Sequence, residues 1–236
     1  MLGKLFVIAT PIGNLEDITP RALRTISAVD LLLCEDTRVT RKLLSRYDIS
    51  VRLESYREQV HGKMLGRVLD RLRRGHDVGL VSDAGMPGIS DPGGRLVDAL
   101  IAAEPEIPIV PIPGPSAVTA AVAVSGFPAA GFIFLGFPPH KKGRRAFFDE
   151  ALGQRLPAVL YESPHRILKT LESIAGIDPG RRLCLARELT KLHETIYRGT
   201  AADIIRRLRD ESAVRGEMVL VIEGVRPGRS KREEPQ

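Results

Sequence analysis

With 236 residues, 43% hydrophobic and 27% charged, the chain can bury one large core or two small ones, and it has the balance of a globular protein. No apolar run approaches the ~20 residues of a membrane helix, so no membrane-spanning helix is expected. A net charge of +6 favours polyanionic partners, nucleic acid first, and the tail Arg226–Gln236 carries +2 of it.

Leu5–Ala9 reads as a buried strand that runs straight into a loop, so the N-terminus is not read as a signal peptide. Thr19-Pro20 places an N-cap before a proline at the first helical position. Leu31–Cys34 is a second strand. From Gln59 to Arg74, Val60, Met64, Val68 and Leu72 recur every four residues, the stripe of an amphipathic helix. Arg67, Arg71, Arg73 and Arg74 decorate its other faces as a solvated surface. Val78–Ser82 is a strand, a helix is expected from Asp91-Pro92, and Ile107–Ile112 is a strand. Ala117–Val124 is a helix of small residues that leads out of the first domain. The pattern then restarts, with strands at Phe132–Gly136, Ala158–Glu162, Leu183–Arg187 and Glu217–Glu223, and a further short one at Thr195–Arg198. Helices intervene at Arg144–Leu152, Pro164–Ala175 and Ala201–Asp210.

This alternation predicts α/β architecture with a substantially parallel sheet. The domains are placed at 1–115 and 116–225, with a Pro/Gly/charge-rich tail over 226–236 predicted to be disordered. Cys34 and Cys184 lie in apolar stretches and read as buried reduced thiols, which fits a cytoplasmic protein.

In open α/β sheets ligands bind beyond the carboxyl ends of strands. Three loops there have unusual composition: Thr10–Asn14, Ser82–Gly94 and Pro111–Ser116. Glycines admit close approach of backbone to a ligand, and prolines hold loop shape. The three together predict one ligand crevice. No P-loop, no GxGxxG after the first strand and no nucleophile elbow occurs. The histidines at 61, 76, 140, 165 and 193 have no metal-ligand spacing, so no metal is expected. The loops offer backbone groups with Asp83 and Asp91 and no fixed cation. That suits a hydroxyl-rich, cationic ligand better than a polyphosphate.

Seven stretches occur in one order along the chain: ATPIGNLEDITPRA (Ala9–Ala22), CEDTR (Cys34–Arg38), VSDAGMPGISDPG (Val81–Gly93), PGPSA (Pro113–Ala117), YESPHR (Tyr161–Arg166), RELTKLHE (Arg187–Glu194) and GEMVLVIEG (Gly216–Gly224). With them the chain resembles the RsmI family, the ribosomal RNA small-subunit (16S rRNA cytidine 2′-O) methyltransferases of the tetrapyrrole-methylase superfamily. It departs from the usual pattern at Cys34, Met86, Gly88 and Pro138. The resemblance implies two α/β domains of the class III methyltransferase type with a cleft between them for S-adenosylmethionine, a homodimer, and a decoding-region cytidine of 16S rRNA as target. Carried over by position, Pro11, Asp83, Ala84, Gly85, Ile89, Ser90, Pro113 and Gly114 line the cofactor, with Leu135, Tyr161 and Met218 from the C-terminal domain.

Methyl transfer to a ribose hydroxyl needs in-line alignment and a group that takes the hydroxyl proton. Glu35, Asp36 and Arg38 form the expected catalytic cluster. Glu35 and Asp36 leave a strand toward opposite faces, so that one can face the site while the other orients Arg38. Glu35, Asp36 and His165 all stand as candidate proton acceptors, with the carboxylates preferred. Asn14, Lys141, Lys142, Arg144, His165, Arg187, Glu188 and Lys191 are the expected substrate contacts, the basic ones through phosphate. Two other readings accompany this one: a precorrin-type tetrapyrrole methyltransferase, and a non-catalytic RNA-binding or ribosome-assembly protein on the same fold.

Overall fold

The structure, a computed structural model, describes residues 1–225, so the tail predicted to be disordered lies outside the described residues. It divides into two units, Met1–Ser116 and the chain from Ala117 onward.

In the first unit the apolar runs become β1 (Leu5–Ile8), β2 (Leu31–Cys34), β3 (Leu53–Ser55), β4 (Val78–Leu80) and β5 (Ile109–Ile112). They form one parallel sheet in the order β3-β2-β4-β1-β5. Helices cover both faces, which is why the central strands are apolar throughout. Ile8, Leu32 and Cys34 pack against Ala22 and Ile26 of α1 (Pro20–Ala28) and Leu43 and Leu44 of α2 (Thr37–Arg46). Leu5, Val7, Leu31, Leu33, Val78 and Leu80 face α3 (His61–Arg73) and α4 (Gly93–Ala103), where Met64, Val68, Leu72, Leu96 and Leu100 meet them. Thr19 caps α1 as expected, its hydroxyl accepting from Ala22 N at 3.1 Å.

Two elements here lie outside the sequence expectation, α2 and β3. The α2 sequence is strongly polar and buries only Thr40, Leu43 and Leu44, too short a stripe to stand out. β3 is a three-residue edge strand. The arginines of α3 behave as a solvated surface. Arg67 pairs with Glu54, Arg73 with Glu104 and Arg74 with Asp70, each ion pair largely exposed on the arginine side.

The second unit begins with α5 (Ala117–Ser125). Its strands are β6 (Ile133–Gly136), β7 (Ala158–Glu162), β8 (Leu183–Arg187), β9 (Thr195–Gly199) and β10 (Met218–Ile222), in the sheet order β6-β7-β10-β8-β9. The expectation of a substantially parallel sheet fails in this unit. Only β6 and β7 run parallel, joined through α6 (Arg144–Gly153), and the other pairings are antiparallel. A seven-residue connection takes β8 into β9, too short for a helical crossover. On one face α6, α7 (Pro164–Ala175) and α8 (Ala201–Asp210) supply Phe148, Ile167, Leu171, Ile204 and Leu208 to a core that includes Leu160, Leu185, Tyr197 and Leu220. α5 packs on β8 and β10. Arg198 of β9 ties down the end of α5 by donating to the carbonyls of Val124 and Ser125. Cys34 and Cys184 are buried free thiols.

Candidate active site

Because β2, β4, β1 and β5 are adjacent and parallel, their carboxyl ends share one edge of the first sheet. The Pro/Gly loops singled out in the sequence emerge there side by side. Thr10 and Gly85 exchange both backbone hydrogen bonds, at 2.9 and 3.1 Å, which stitches the first loop to the second. The Thr10 hydroxyl adds a bond to the Ser82 carbonyl at 3.2 Å. At Gly114 a Cβ would stand 2.9 Å from the Ala9 Cβ, so the third loop lies against the end of β1 as only glycine permits. Pro11 is buried beneath this surface, while Asn14 uses its side chain to cap the turn Leu15–Asp17, accepting from Glu16 N at 3.1 Å.

The second loop is shaped from inside. Asp91 Oδ1 accepts from Gly88 N at 2.8 Å and Gly93 N at 2.7 Å. The helix expected from Asp91-Pro92 therefore starts later, at Gly93, because Asp91 folds the loop instead of capping a helix with proline inside it. Ser90 adopts φ +64°, a left-handed conformation uncommon outside glycine. Ala84, Ile89 and Ser90 are exposed, so the loop presents backbone and small side chains outward.

The fourth strand end carries the charge. Asp36 N donates to Asp83 Oδ1 at 3.0 Å, and Asp83 N donates to Glu35 Oε1 at 3.3 Å. This reciprocal pair clamps the end of β2 to the end of β4. Glu35 and Asp36 have separate fates. Asp36 is the N-cap of α2, accepting from Arg38 N at 2.8 Å, and it also holds the Arg38 guanidinium in an ion pair at 2.6 Å. Those bonds pull its carboxyl far below the ordinary carboxylate range. Glu35 makes no such ion pair. Partial burial raises its pKa above the ordinary 4.5, with Asp83 and Asp91 adding to the shift against the Asp83 N–H bond and the nearby Arg57.

An open cavity of about 350 Å³ lies here, lined by Glu35, Asp36, Arg57, Glu58, Gln59, Asp83 and Pro92. Arg57, Glu58 and Gln59 were not among the sequence candidates. They follow β3, and a strand too short to recognise hides the fact that its loop joins the other strand ends.

The second unit brings together Leu135, Tyr161, Met218 and Arg187 at one end of its sheet, where Met218 pairs with both Glu162 and Arg187. Tyr161 packs against the rings of Phe134 and Phe137. The Met218 side chain points into the hydrophobic core and is 3% exposed. His165 is exposed on the first turn of α7.

Two expected phosphate contacts are corrected. Arg144 is buried, donating to Thr170 Oγ1 at 2.6 Å and the Pro139 carbonyl at 3.2 Å, with its guanidinium over the Phe148 ring. Burial lowers its pKa. Thr170 in turn donates to the fully buried carboxylate of Glu162, which Arg166 pairs at 3.4 Å. Arg187 is also buried, donating to the carbonyls of Arg215 and His193. Neither guanidinium is presented to a polyanion. Glu188 and Lys191 pair at 3.0 Å, Lys191 also reaches Glu217 at 3.0 Å, and together they brace the turn after β8. Lys141 and Lys142 are exposed.

Residues 4–205 match the tetrapyrrole (corrin/porphyrin) methylases. Ribosomal RNA small subunit methyltransferase I of Thermotoga maritima is 46% identical over 94% of this chain and 99% of its own length. The same-named protein of Hydrogenobaculum sp. is 44% identical over 93% of this chain and 95% of its own. The chain belongs to the ribosomal RNA small subunit methyltransferase I family. It is a methyltransferase that uses S-adenosylmethionine. Among solved structures it resembles the methyltransferase CobJ, with a TM-score of 0.68 and 21% identity over 96% of this chain and 97% of that one. It also resembles the cobalt precorrin-4 methyltransferase CbiF, with a TM-score of 0.66 and 21% identity over 93% and 94%. At that identity the likeness carries the fold alone.

The first unit fits the cofactor on its own chemistry. The three loops hold no lysine or arginine, offer backbone donors and acceptors, and stand beside Asp83. A sulfonium and an ammonium are favoured there and a polyphosphate is not.

Proposed function

We propose that this protein transfers a methyl group from S-adenosylmethionine to the 2′-hydroxyl of a decoding-region cytidine in 16S rRNA, with Glu35 as the general base. The observation that carries this reading is the carboxylate of Glu35. It stands at the end of a parallel strand, lines an open cavity, and is the less acidic of two adjacent carboxylates. A base must not be locked in an ion pair and must be basic enough to take a hydroxyl proton. Asp36 is spent on Arg38 and on the start of α2, which supports Glu35 over its neighbour.

When bound, the cofactor supplies an electrophilic methyl carbon on a sulfonium that leaves as a neutral thioether. The chain does the rest. Pro11, the loop Asp83–Ser90 and Pro113-Gly114 hold the donor by backbone contacts. Asp83 N–H fixes the Glu35 carboxylate. The ribose O–H bond breaks, its proton passes to Glu35 Oε, and the oxygen forms the new O–CH₃ bond. Relatives 44–46% identical and named for small-subunit rRNA support an RNA substrate, while the tetrapyrrole reading has the broad family match and likeness of fold at 21% identity. An rRNA substrate places the reaction in the cytoplasm. The exposed Lys141 and Lys142 belong to the proposed RNA-docking surface, and we propose the assembly to be a homodimer, which sedimentation equilibrium tests.

The deciding experiment supplies labelled S-adenosylmethionine with unmodified 30S subunits and with free 16S rRNA. The labelled nucleotide is expected to resist alkaline cleavage on its 3′ side. Label in an alkali-sensitive nucleotide would sink the assignment to ribose.

A further inference from the structure

The loop after β3 delivers two donors to one acceptor. Ser55 Oγ donates to the Glu35 carbonyl at 3.0 Å, and Arg57 Nε donates to the same oxygen at 3.1 Å. The main chain of Glu35 is thereby held on one side while Asp83 holds its carboxylate on the other. A neutral donor can fill either position, so anchoring Glu35 does not by itself require a guanidinium.

The charges lining the cavity supply the reason. Asp36 is neutralised by Arg38, and Glu58 by Arg95 at 2.9 Å. Arg57 is the one cation lining the cavity, is exposed, and has no ion pair among the described residues. With Nε committed to Glu35, the terminal edge of the fork keeps two parallel N–H groups, the geometry that receives two oxygens of a phosphate. In RNA the 2′-hydroxyl and the 3′-phosphodiester sit on neighbouring ribose carbons. A base that reaches the 2′-hydroxyl therefore has that phosphodiester close by. A carboxylate base needs a cation there, or the approach of the phosphate is opposed.

We infer that Arg57 receives the phosphodiester on the 3′ side of the ribose being methylated, anchored for that task on the carbonyl of Glu35. This rests on the proposed RNA reading and deepens it. Arg57 touches substrate, whereas Ser55 acts through Glu35 and is a positioning residue.

The test compares R57Q, R57K and S55A with the unaltered protein, measuring methyl transfer to unmodified 30S subunits over a range of salt. Calorimetry gives S-adenosylmethionine affinity, and thermal melts confirm folding. R57Q is expected to raise KM for subunits about tenfold, the weight of one charge-assisted contact, and to flatten the salt slope by about 0.7–1, the release of one counterion. Cofactor affinity stays unchanged. R57K keeps the charge and is expected to keep the slope. S55A lowers kcat alone. Two results overturn the inference while the unaltered protein remains active: a salt slope retained in R57Q, or one lost equally in R57K. An unaltered protein that fails to methylate RNA overturns the parent reading instead.

Discussion

Each unit places a cluster of charged residues at the carboxyl end of its strands, and the two clusters do opposite things. In the first unit Glu35, Asp83 and Arg57 stand at an open cavity with their charges only partly matched. In the second, the buried Glu162, Thr170 and Arg144 and the half-buried Arg166 are joined in a chain of bonds that also fastens the carbonyls of Pro138 and Pro139. The difference lies in satisfaction, not in composition. A buried charge must spend its hydrogen-bonding capacity on its neighbours, since leaving it unpaired is costly. A charge with capacity left over at a solvent-open edge is available to a substrate. CEDTR and YESPHR look alike as polar motifs, yet one leaves a carboxylate at an open cavity and the other braces a loop.

The sharpest way to break this comparison is E35Q. The amide retains an oxygen for the Asp83 N–H, so folding should persist while kcat falls by about 10²–10⁴, the usual weight of a general base. A smaller fall in single-turnover assays would return Asp36 and His165 to contention. In the second unit the expected loss is of stability. E162Q should cost about 3–5 kcal/mol in denaturant unfolding, and R144A, which breaks hydrogen bonds but no ion pair, about 1–3 kcal/mol, with kcat per folded molecule little changed. A large fall in kcat with unchanged stability would place that cluster in the chemistry.

Replacing Lys141 and Lys142 with alanine should weaken binding to 30S subunits and flatten its salt slope by roughly 1–2, since each phosphate contact releases a counterion. A slope identical to that of the unaltered protein would remove the two lysines from the docking surface.

The smallest effect is in pH. A base must be deprotonated to act, and the folded pKa of Glu35 lies above 4.5. Activity should therefore rise with pH through a limb displaced upward from an ordinary carboxylate. D36N should leave that limb in place, because Asp36 titrates below its ordinary 3.8 and is already ionised throughout it. As stability, Glu35 works the other way. A raised folded pKa favours the native state below the unfolded value, and the benefit fades as pH rises through the folded one. A limb centred at or below 4.5 would remove Glu35 as the titrating base.

Much of the fold is legible in the residues themselves. The runs of four or five apolar residues became strands, Thr19-Pro20 opened a helix, and the Met64, Val68 and Leu72 stripe turned inward, because burial periodicity and capping are local properties. The loops at Thr10, Ser82 and Pro111 were visible as turn chemistry at strand ends, and motif order marked the family. What sequence could not settle depends on residues far apart. The antiparallel course of the second sheet follows from pairing across the chain. The burial of Arg144 and Arg187 depends on Thr170, Pro139 and Arg215, between 5 and 28 positions away. The union of Glu35 with Asp83, 48 positions apart, and with Arg57, 22 apart, exists only once β2, β3 and β4 lie side by side. Local patterns determined where the chain would be strand, helix and loop. Only the tertiary structure decided which charges were spent on the protein and which were left for a substrate, because that depends on how many partners each one finds.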